Sequence, residues 1–442
     1  MRFPVSRWLS TGLAWLALGG CVRYAPLPLD TRATYASSVD LLQDAPPPGK
    51  ALESADVTRL ILTNSPVLQQ ARTRHAEARA KAKAGALPPN PTFSGSLGYL
   101  LSGAGDATAW TAALSQPVNG WITLRARHAE ARATVREVDA GLAWDAWQAV
   151  AKGRLLVTDI QLNEQLLAAQ VELSELLRAQ WAAVSAAREH GDVDASMSLP
   201  VGQATSEADQ AAAETERLLM GQRRELRALM GLAFDAPLPL VPLPPLAPLD
   251  EPGARRAIDD LPAHRPDLVA LAMGYEAEDA RFRAAVLTQF PGLSVGYDAS
   301  QDNSRVTNGG PSLTLDLPLF DTGKAQAEAA GASRQRLHDE YGQRVADARD
   351  EAMALIAANR VAEGELARMG QTDGTRSQVT HATRAFDRGD LDRAAYTDLT
   401  AAALARRVAL LRTELAIREQ RIALDTLLGI GMPAIESKKG FE

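Results

Sequence analysis

The sequence has little cysteine, few aromatic residues and no excess of positive charge. Cys21 is the only cysteine in 442 residues, so an internal disulfide framework is excluded. Phe, Trp and Tyr make up 5% of the chain, and 54 acidic against 47 basic residues give a net charge of −7. That charge argues against nucleic acid as a partner. After residue 20, no apolar run approaches the roughly 20 residues that a transmembrane helix needs.

Sequence motifs of catalysis are also missing. There is no G-x-x-x-x-G-K-[ST] loop for a nucleotide, and no group of acids, bases or nucleophiles stands out. The six histidines are too dispersed for a zinc site; they are His75, His128, His190, His264, His338 and His381. We therefore expect neither an enzyme nor a metal or cofactor site.

The N-terminus, by contrast, has the layout of a secretory signal peptide over residues 1–20. Arg2 and Arg7 precede an apolar stretch, and Leu18-Gly19-Gly20-Cys21 resembles the bacterial lipobox. That resemblance implies that Cys21 becomes the palmitate-bearing, lipid-anchored first residue of the mature chain. The residue after the cysteine is Val22 and not aspartate, and by the same resemblance such lipoproteins are sent to the outer membrane. The alternative is an ordinary signal peptide with a chance cysteine.

Five short motifs occur twice, in the same order and about 200 residues apart. They are NSPVL and HRPDL (Pro66, Pro266), NPTFSGSLGY and FPGLSVGY (Pro91, Pro291), LSQPVNG and LDLPLFDTG (Pro117, Pro318), REHGDVD and FDRGDLD (Gly191, Gly389), and LMGL and LLGI (Gly231, Gly429). A nearly constant spacing predicts an internal duplication.

The duplication divides the chain into six segments. They are a signal peptide (1–20), a Pro-rich segment (21–50), a first repeat (51–235), a Pro-rich linker (236–252), a second repeat (253–432) and a tail (433–442). Because proline fixes φ and removes a donor, the linker 236–252 should be an extended strap lying on folded surface. The alternative is a disordered linker.

Each repeat has the pattern of a β-hairpin followed by long helices. The hairpins are expected over 91–118 and 291–318, and the helices over 121–231 and 324–429. Steps of four and three predict a heptad seam at Leu162, Leu166, Ala169, Leu173 and Leu176. The fold class is therefore mainly α with a small β part.

Strands of about ten residues have the length that crosses a bilayer in a tilted β-barrel. Tyr99, Trp110 and Tyr297 are candidate membrane-interface aromatics, although a soluble hairpin would use the same residues. Four strands cannot close a barrel, and lipid does not tolerate an open sheet edge. If the strands enter a membrane, several chains must share one barrel.

The lipobox, the duplicated helix–hairpin–long-helix units, the Pro-rich strap and the Pro-Leu-Phe-Asp-x-Gly stretch at 318–323 together resemble the TolC-type outer-membrane efflux proteins. The resemblance implies a homotrimer with a twelve-stranded outer-membrane barrel joined to a periplasmic α-helical barrel. It implies a passive exit duct, served by a periplasmic membrane-fusion adaptor and an inner-membrane transporter of the resistance-nodulation-division type.

Two turns, within 187–199 and 385–399, join the long helices to their return helices. Glycine can end a helix and aspartate can cap the next one, which is a sufficient structural explanation. The resemblance adds that these turns are tips that dock on the adaptor. The docking residues would be Arg188, Gly191, Asp192, Arg388, Gly389 and Asp390.

Asp398 stands where related channels place an acidic ring at the periplasmic aperture. The companion acid of the family is Ala395 in this sequence, and an ordinary solvated aspartate is the alternative. The cargo stays open between heavy-metal cations and drugs. A periplasmic coiled-coil lipoprotein with a structural or adaptor role, and no pore, is the alternative function.

Overall fold

Long helices make up most of the molecule, and one small sheet accompanies them. The computed structural model describes residues 24–29, 35–102, 107–371 and 375–430. Its helices are α1 (Ser54–Asn64), α2 (Pro66–Gly85), α3 (Asn119–Ile122), α4 (Leu124–Glu189), α5 (Ala195–Met230), α6 (Glu251–Asp259), α7 (Leu261–His264), α8 (Pro266–Leu287), α9 (Lys324–Gln371), α10 (Thr375–Asp387) and α11 (Arg393–Leu428). Its strands are β1 (Thr92–Gly98), β2 (Ala109–Pro117), β3 (Gly292–Gln301) and β4 (Thr307–Asp316). The predicted class, mainly helical with a small β part, is confirmed.

Equivalent prolines and glycines occupy equivalent places in the two repeats. Pro66 begins α2 and Pro266 begins α8, where a missing N–H costs nothing. Gly231 ends α5 with φ of 78°, and Gly429 ends α11 with φ of 69°. Only glycine adopts this left-handed conformation without strain. The motifs that repeat in the sequence are therefore helix boundaries that repeat in the fold.

The 66 residues of α4 span about 100 Å at a rise of 1.5 Å per residue. Helix α11 runs antiparallel along it: the Trp147 indole N–H donates to the Thr426 carbonyl at 2.8 Å, and Arg407 lies 3.7 Å from Glu172. Of the predicted seam, Leu162, Leu166 and Ala169 are buried against Leu411 of α11. This antiparallel pairing brings the α4–α5 turn and the α10–α11 turn to the same end of the helices.

Each repeat has its own apolar core near the middle of the long helices. In the first repeat, α1, α4 and α5 bury Ile61, Ile160 and Leu226 among others. Helix α1 approaches α4 so closely that a Cβ at Gly153 would lie 2.2 Å from Ile61 Cδ1. In the second repeat the equivalent core is made by α6 to α9 and α11.

The Pro-rich strap lies against both repeats as extended chain over residues 236–250, whereas Glu251 and Pro252, the last two residues of the predicted linker, begin helix α6. The Val241 N–H donates to the Leu52 carbonyl at 2.9 Å. The Gln161 side chain of α4 donates to the Val241 carbonyl at 2.9 Å and accepts from the Leu243 N–H at 2.8 Å. Arg418 of α11 donates to the Pro244 carbonyl at 2.8 Å. These hydrogen bonds give the strap fixed partners, unlike a disordered linker.

The four strands form one antiparallel sheet in the order β1-β2-β3-β4. The central pair joins the two repeats, with Trp110 opposite Gln301 and Pro117 opposite Ser294. None of the described helices combines the length and the hydropathy that a bilayer crossing requires. The described residues up to Tyr35 belong to a separate unit, in which residues 24–29 have no regular secondary structure.

Candidate functional site

The register of the sheet separates its side chains into an apolar face and a polar face, because residues directly opposite in an antiparallel pair point to the same side. The apolar face contains Phe93, Leu97, Trp110, Ala112, Leu114, Leu293, Val295, Tyr297, Ala299, Pro311, Leu313 and Leu315. Its polar members, Gln116, Gln301 and Thr307, lie at or next to strand ends. The polar face contains Ser94, Ser96, Thr111, Ser115, Ser294, Asp298, Ser300, Asn308, Ser312, Thr314 and Asp316.

Neither face of the sheet covers a core. No residue of the four strands is buried, and Phe93, Leu97 and Leu313 are 75%, 68% and 69% exposed. On the polar face, the hydroxyls of Ser96 and Thr111 share a hydrogen bond of 2.7 Å across β1 and β2. A sheet of this size needs an apolar face buried on something to be stable. In a single chain in water, the apolar face of the sheet therefore lacks the covering surface that it needs.

Both outer edges of the sheet are also open. Among the described residues β1 pairs only with β2, and β4 pairs only with β3. The outward N–H and C=O groups of these two strands are thus available to another strand.

Two of the three predicted interface aromatics lie at the loop end of the sheet. Tyr99 follows β1 directly, and Trp110 pairs with Leu97 and Gln301 near that end. Tyr297, on the same face as Trp110, lies four residues inside Gln301, opposite Leu114. Its position matches the middle of the strand rather than its end. Tyr297 therefore lies away from the loop end of the sheet, where Tyr99 and Trp110 lie.

At the other end of the sheet, exposed apolar side chains that sequence analysis missed lie between the strands and the helices. They are Leu87, Trp121, Ile122, Phe290, Leu317, Leu319 and Phe320. Phe320 is 100% exposed and Trp121 is 54% exposed. Each lies within five residues of a proline at or near a strand end: Pro91, Pro117, Pro291 or Pro318. An aromatic residue or leucine close to such a proline is the signal that could have identified these seven residues, which we call the apolar belt.

The two predicted tips share one backbone geometry. Gly191 and Gly389 have φ of 82° and 76°, so each needs glycine to avoid strain. Gly191 N–H donates to the Arg188 carbonyl at 3.0 Å, and Gly389 N–H to the Phe386 carbonyl at 2.9 Å. A Cβ at either glycine would meet nothing within 4 Å. Both turns are accordingly exposed, at the same end of the long helices.

The side chains of the second tip are organised by local contacts. Arg388 donates to Asp390 at 2.9 Å, and the Asp392 carboxylate caps α11 by accepting from the Ala395 N–H at 2.7 Å. The rings of Phe386 and Tyr396 stack with centroids 4.7 Å apart. In the first tip, Asp194 holds the equivalent position but makes no side-chain capping bond. The second tip thus has a side-chain cap that the first tip lacks.

Asp398 lies in the second turn of α11 and is exposed, while the neighbouring Thr397 and Thr400 are buried. Its carboxylate therefore faces away from the packed side of α11. Cys21 lies outside the described residues. Among the residues that the structure describes, no cluster of three or more His, Cys, Asp and Glu side chains could hold a metal ion.

One pair of carboxyl groups is perturbed where α4 meets α11. Burial, together with the charge of Glu419 and a hydrogen bond to it, raises the pKa of Asp159 to about 7. Burial also raises the pKa of Glu419. Gln222 donates to the Asp159 Oδ2 atom at 3.4 Å. This pair lies at the contact between the two repeats.

Comparison with known proteins identifies the class to which this architecture corresponds. Residues 257–430 match the family model described as outer membrane efflux protein, so the resemblance inferred from the sequence is confirmed. No curated relative matches the sequence.

Solved structures extend the likeness to nearly the whole chain. The outer-membrane channel OprN is 15% identical, with a TM-score of 0.67 over 92% of this chain and 99% of that chain. The CmeC outer membrane channel of Campylobacter jejuni is 13% identical, with a TM-score of 0.67 over 94% and 95%. The outer membrane protein VceC of Vibrio cholerae is 15% identical, with a TM-score of 0.66 over 86% and 97%. This chain has the fold of these outer-membrane proteins.

Proposed function

We propose that this chain is the outer-membrane exit duct of a tripartite efflux pump, formed as a homotrimer. The observation that carries the proposal is the four-stranded sheet, with one apolar face, one polar face, two open edges and no buried residue. Three copies joined edge to edge would give a twelve-stranded barrel in which every backbone group has a partner. The match to outer membrane efflux proteins supports the same function.

The amphipathic sheet also favours this function over a periplasmic lipoprotein without a pore. A soluble protein would expose the apolar face of the sheet and the belt beside it to water, at a cost that grows with apolar area. In the duct, the apolar face meets lipid and the polar face lines the lumen. Lipid on Cys21 would add an outer-membrane anchor.

The charges of the proposed lumen favour cations. Asp298 and Asp316 lie on the polar face, and the four strands contain no lysine or arginine. A ring of three Asp398 carboxylates at the periplasmic aperture would act in the same direction, since like charges focus counter-ions. Heavy-metal cations and cationic drugs both fit this field, and the choice between them belongs to the inner-membrane transporter.

Conductance tests the duct directly. Purified full chain, reconstituted in planar bilayers, is expected to give single-channel currents with a reversal potential that indicates cation preference. Asp398→Asn should shift that potential toward zero while single-channel currents persist, since it removes the aperture charge without changing the shape of the side chain. Absence of currents from the wild-type protein would refute the duct; an unchanged reversal potential in Asp398→Asn would refute only the ring.

We propose that the two tips form the surface that meets the periplasmic adaptor. The adaptor in turn connects the duct to an inner-membrane transporter of the resistance-nodulation-division type. Removing the second tip's ion pair with Arg388→Ala/Asp390→Ala should leave folding nearly unchanged, because exposed pairs contribute roughly 0–1 kcal/mol. Site-specific cross-linking to the adaptor should fall at least several-fold.

A matched control for the tip is Arg336→Ala/Glu340→Ala, which removes an exposed ion pair of 2.8 Å on the shaft of α9. Cross-linking by this variant should equal that of the wild type. Equal loss in both variants would mean that the tip pair has no special part in docking.

A further inference from the structure

A basic groove of about 1380 Å³ lies just below the sheet, where α2 and α8 flank the first turns of α4. Its floor is a stripe of exposed side chains on α4: Arg125, His128 and Arg132. Lys83 of α2 and Arg283 of α8 belong to its walls. The groove is thus lined by cations from three helices.

The acidic side chains of the groove already have partners. Glu276 pairs with Arg136 at 2.7 Å, and Asp279 pairs with Arg283 at 2.6 Å. The third acid of the groove, Asp139, pairs with Arg79 of α2. In the described part of the chain neither Arg125 nor Arg132 forms an ion pair; the Arg132 Nε–H donates to the His128 carbonyl at 3.2 Å. Their charges remain for an anion that the chain itself does not supply.

The groove lies one helical turn from the exposed apolar belt. The Thr123 N–H donates to the Asn119 carbonyl at 3.2 Å, and the Arg127 N–H donates to the Thr123 carbonyl at 3.0 Å. Helices α3 and α4 therefore continue one another, and Trp121 stands one turn above Arg125 on one face. Exposed Leu87, two residues beyond the end of α2, lies four residues from Lys83 on the side of the strands.

This spacing corresponds to the polar layer of a membrane. Four residues of helix rise about 6 Å, and each headgroup layer of a bilayer is about 5 to 8 Å thick. Tryptophan favours the boundary of that layer, and cations just outside it attract anionic headgroups. With the sheet in lipid, Arg125 reaches the level of the phosphates.

We propose that the groove binds the phosphate headgroup of a phospholipid from the periplasmic leaflet of the outer membrane. This inference rests on the proposed function, which puts the sheet in that membrane. The guanidinium groups of Arg125 and Arg132 bind the phosphate oxygens, for which their fork of donors is suited. Leu87 and Trp121, on the sheet side of the groove, contact the first carbons of the acyl chains, which a free phosphate lacks.

Native mass spectrometry of the detergent-solubilised full chain, with added phosphatidylglycerol, tests the site. The double variant Arg125→Gln/Arg132→Gln is expected to retain the lipid at least tenfold less strongly than the wild type. Arg125→Lys/Arg132→Lys keeps both charges and should restore most of the retention. The matched control is Arg217→Gln/Arg349→Gln: both arginines are exposed on other helices, and the Arg217 Nε–H makes the same local bond as Arg132, to the Ala213 carbonyl at 3.2 Å. This control should behave as the wild type.

Each result decides the proposal. Wild-type retention in Arg125→Gln/Arg132→Gln, or an equal loss in the control, overturns it. Displacement of the lipid by micromolar inorganic phosphate overturns the lipid assignment and makes the groove a free-phosphate site. Planar-bilayer currents from the same preparations distinguish failure of the lipid site from failure of the duct. Currents together with unaltered retention in the glutamine variant would refute the lipid site alone, whereas a wild type without currents would refute the duct.

Discussion

Leu114→Lys is expected to abolish assembly of the protein in the outer membrane. Leu114 lies opposite Phe93 and Tyr297 on the apolar face, in the middle of the sheet. A lysine that faces lipid near the bilayer midplane costs roughly 2 to 4 kcal/mol, and a trimer would carry three of them. Heat-resistant oligomers in outer-membrane fractions, followed by gel electrophoresis, should disappear, and so should planar-bilayer currents.

The neighbouring residue supplies the control for this experiment. Ala113 lies opposite Ser94 and Asp298 on the polar face, so Ala113→Lys places the same charge in the lumen. This variant should assemble normally and shift the reversal potential toward anions. Normal assembly of Leu114→Lys would mean that the apolar face does not meet lipid, and failure of Ala113→Lys alone would mean that the two faces are reversed.

Asp159→Asn is expected to stabilise the protein above neutral pH and to change little at pH 4. Asp159 has its pKa raised from an ordinary 3.8 to about 7, chiefly by burial and by Glu419. The folded state therefore keeps the proton up to about pH 7, whereas the unfolded chain releases it near pH 4. Stability must fall as the pH rises between these values and stay low above them. Asparagine has no proton to lose.

The expected effect is large, because the difference between a pKa of 3.8 and one of about 7 corresponds to roughly 4 kcal/mol. Thermal unfolding followed by circular dichroism at pH 4 and pH 8 measures it. The Tm of the variant should exceed that of the wild type at pH 8 and match it at pH 4. A Tm difference that is equal at the two pH values would show that Asp159 does not titrate in this window.

Asp209 is the control of opposite sign. A hydrogen bond from Ser174 and the charge of Arg178, 3.0 Å away, hold its pKa below the usual range. A carboxyl group whose pKa is lower in the folded protein than in the unfolded chain stabilises the fold at pH values above the pKa of the unfolded chain. This stabilisation is lost as the pH falls toward the pKa of the folded state. Asp209→Asn should therefore lower the Tm at pH 8, where Asp159→Asn raises it.

Some features of the fold could be predicted because single residues dictate them locally. Pro66 and Pro266 each begin a helix, and Gly191 and Gly389 mark turns because of their left-handed backbone. The mainly helical class and the two hairpins follow from such signals and from periodicity. The belt of Trp121 and its neighbours could not be predicted in this way. It depends on which exposed side chains, from segments far apart in sequence, the fold places together at the helix end of the sheet.

The sequence by itself determined the duplication, the helix ends, the existence of the hairpins and the likeness to outer membrane efflux proteins, since each depends on residues close together in the chain. Only the tertiary structure decided that β2 pairs with β3, which sorts twenty-odd side chains of the two hairpins into a lipid-suited and a water-suited face. It also decided that Asp159 and Glu419 meet, and that cations of α2, α4 and α8 share one groove. These contacts join residues far apart in sequence, so they depend on how helices and strands pack, which no local pattern specifies.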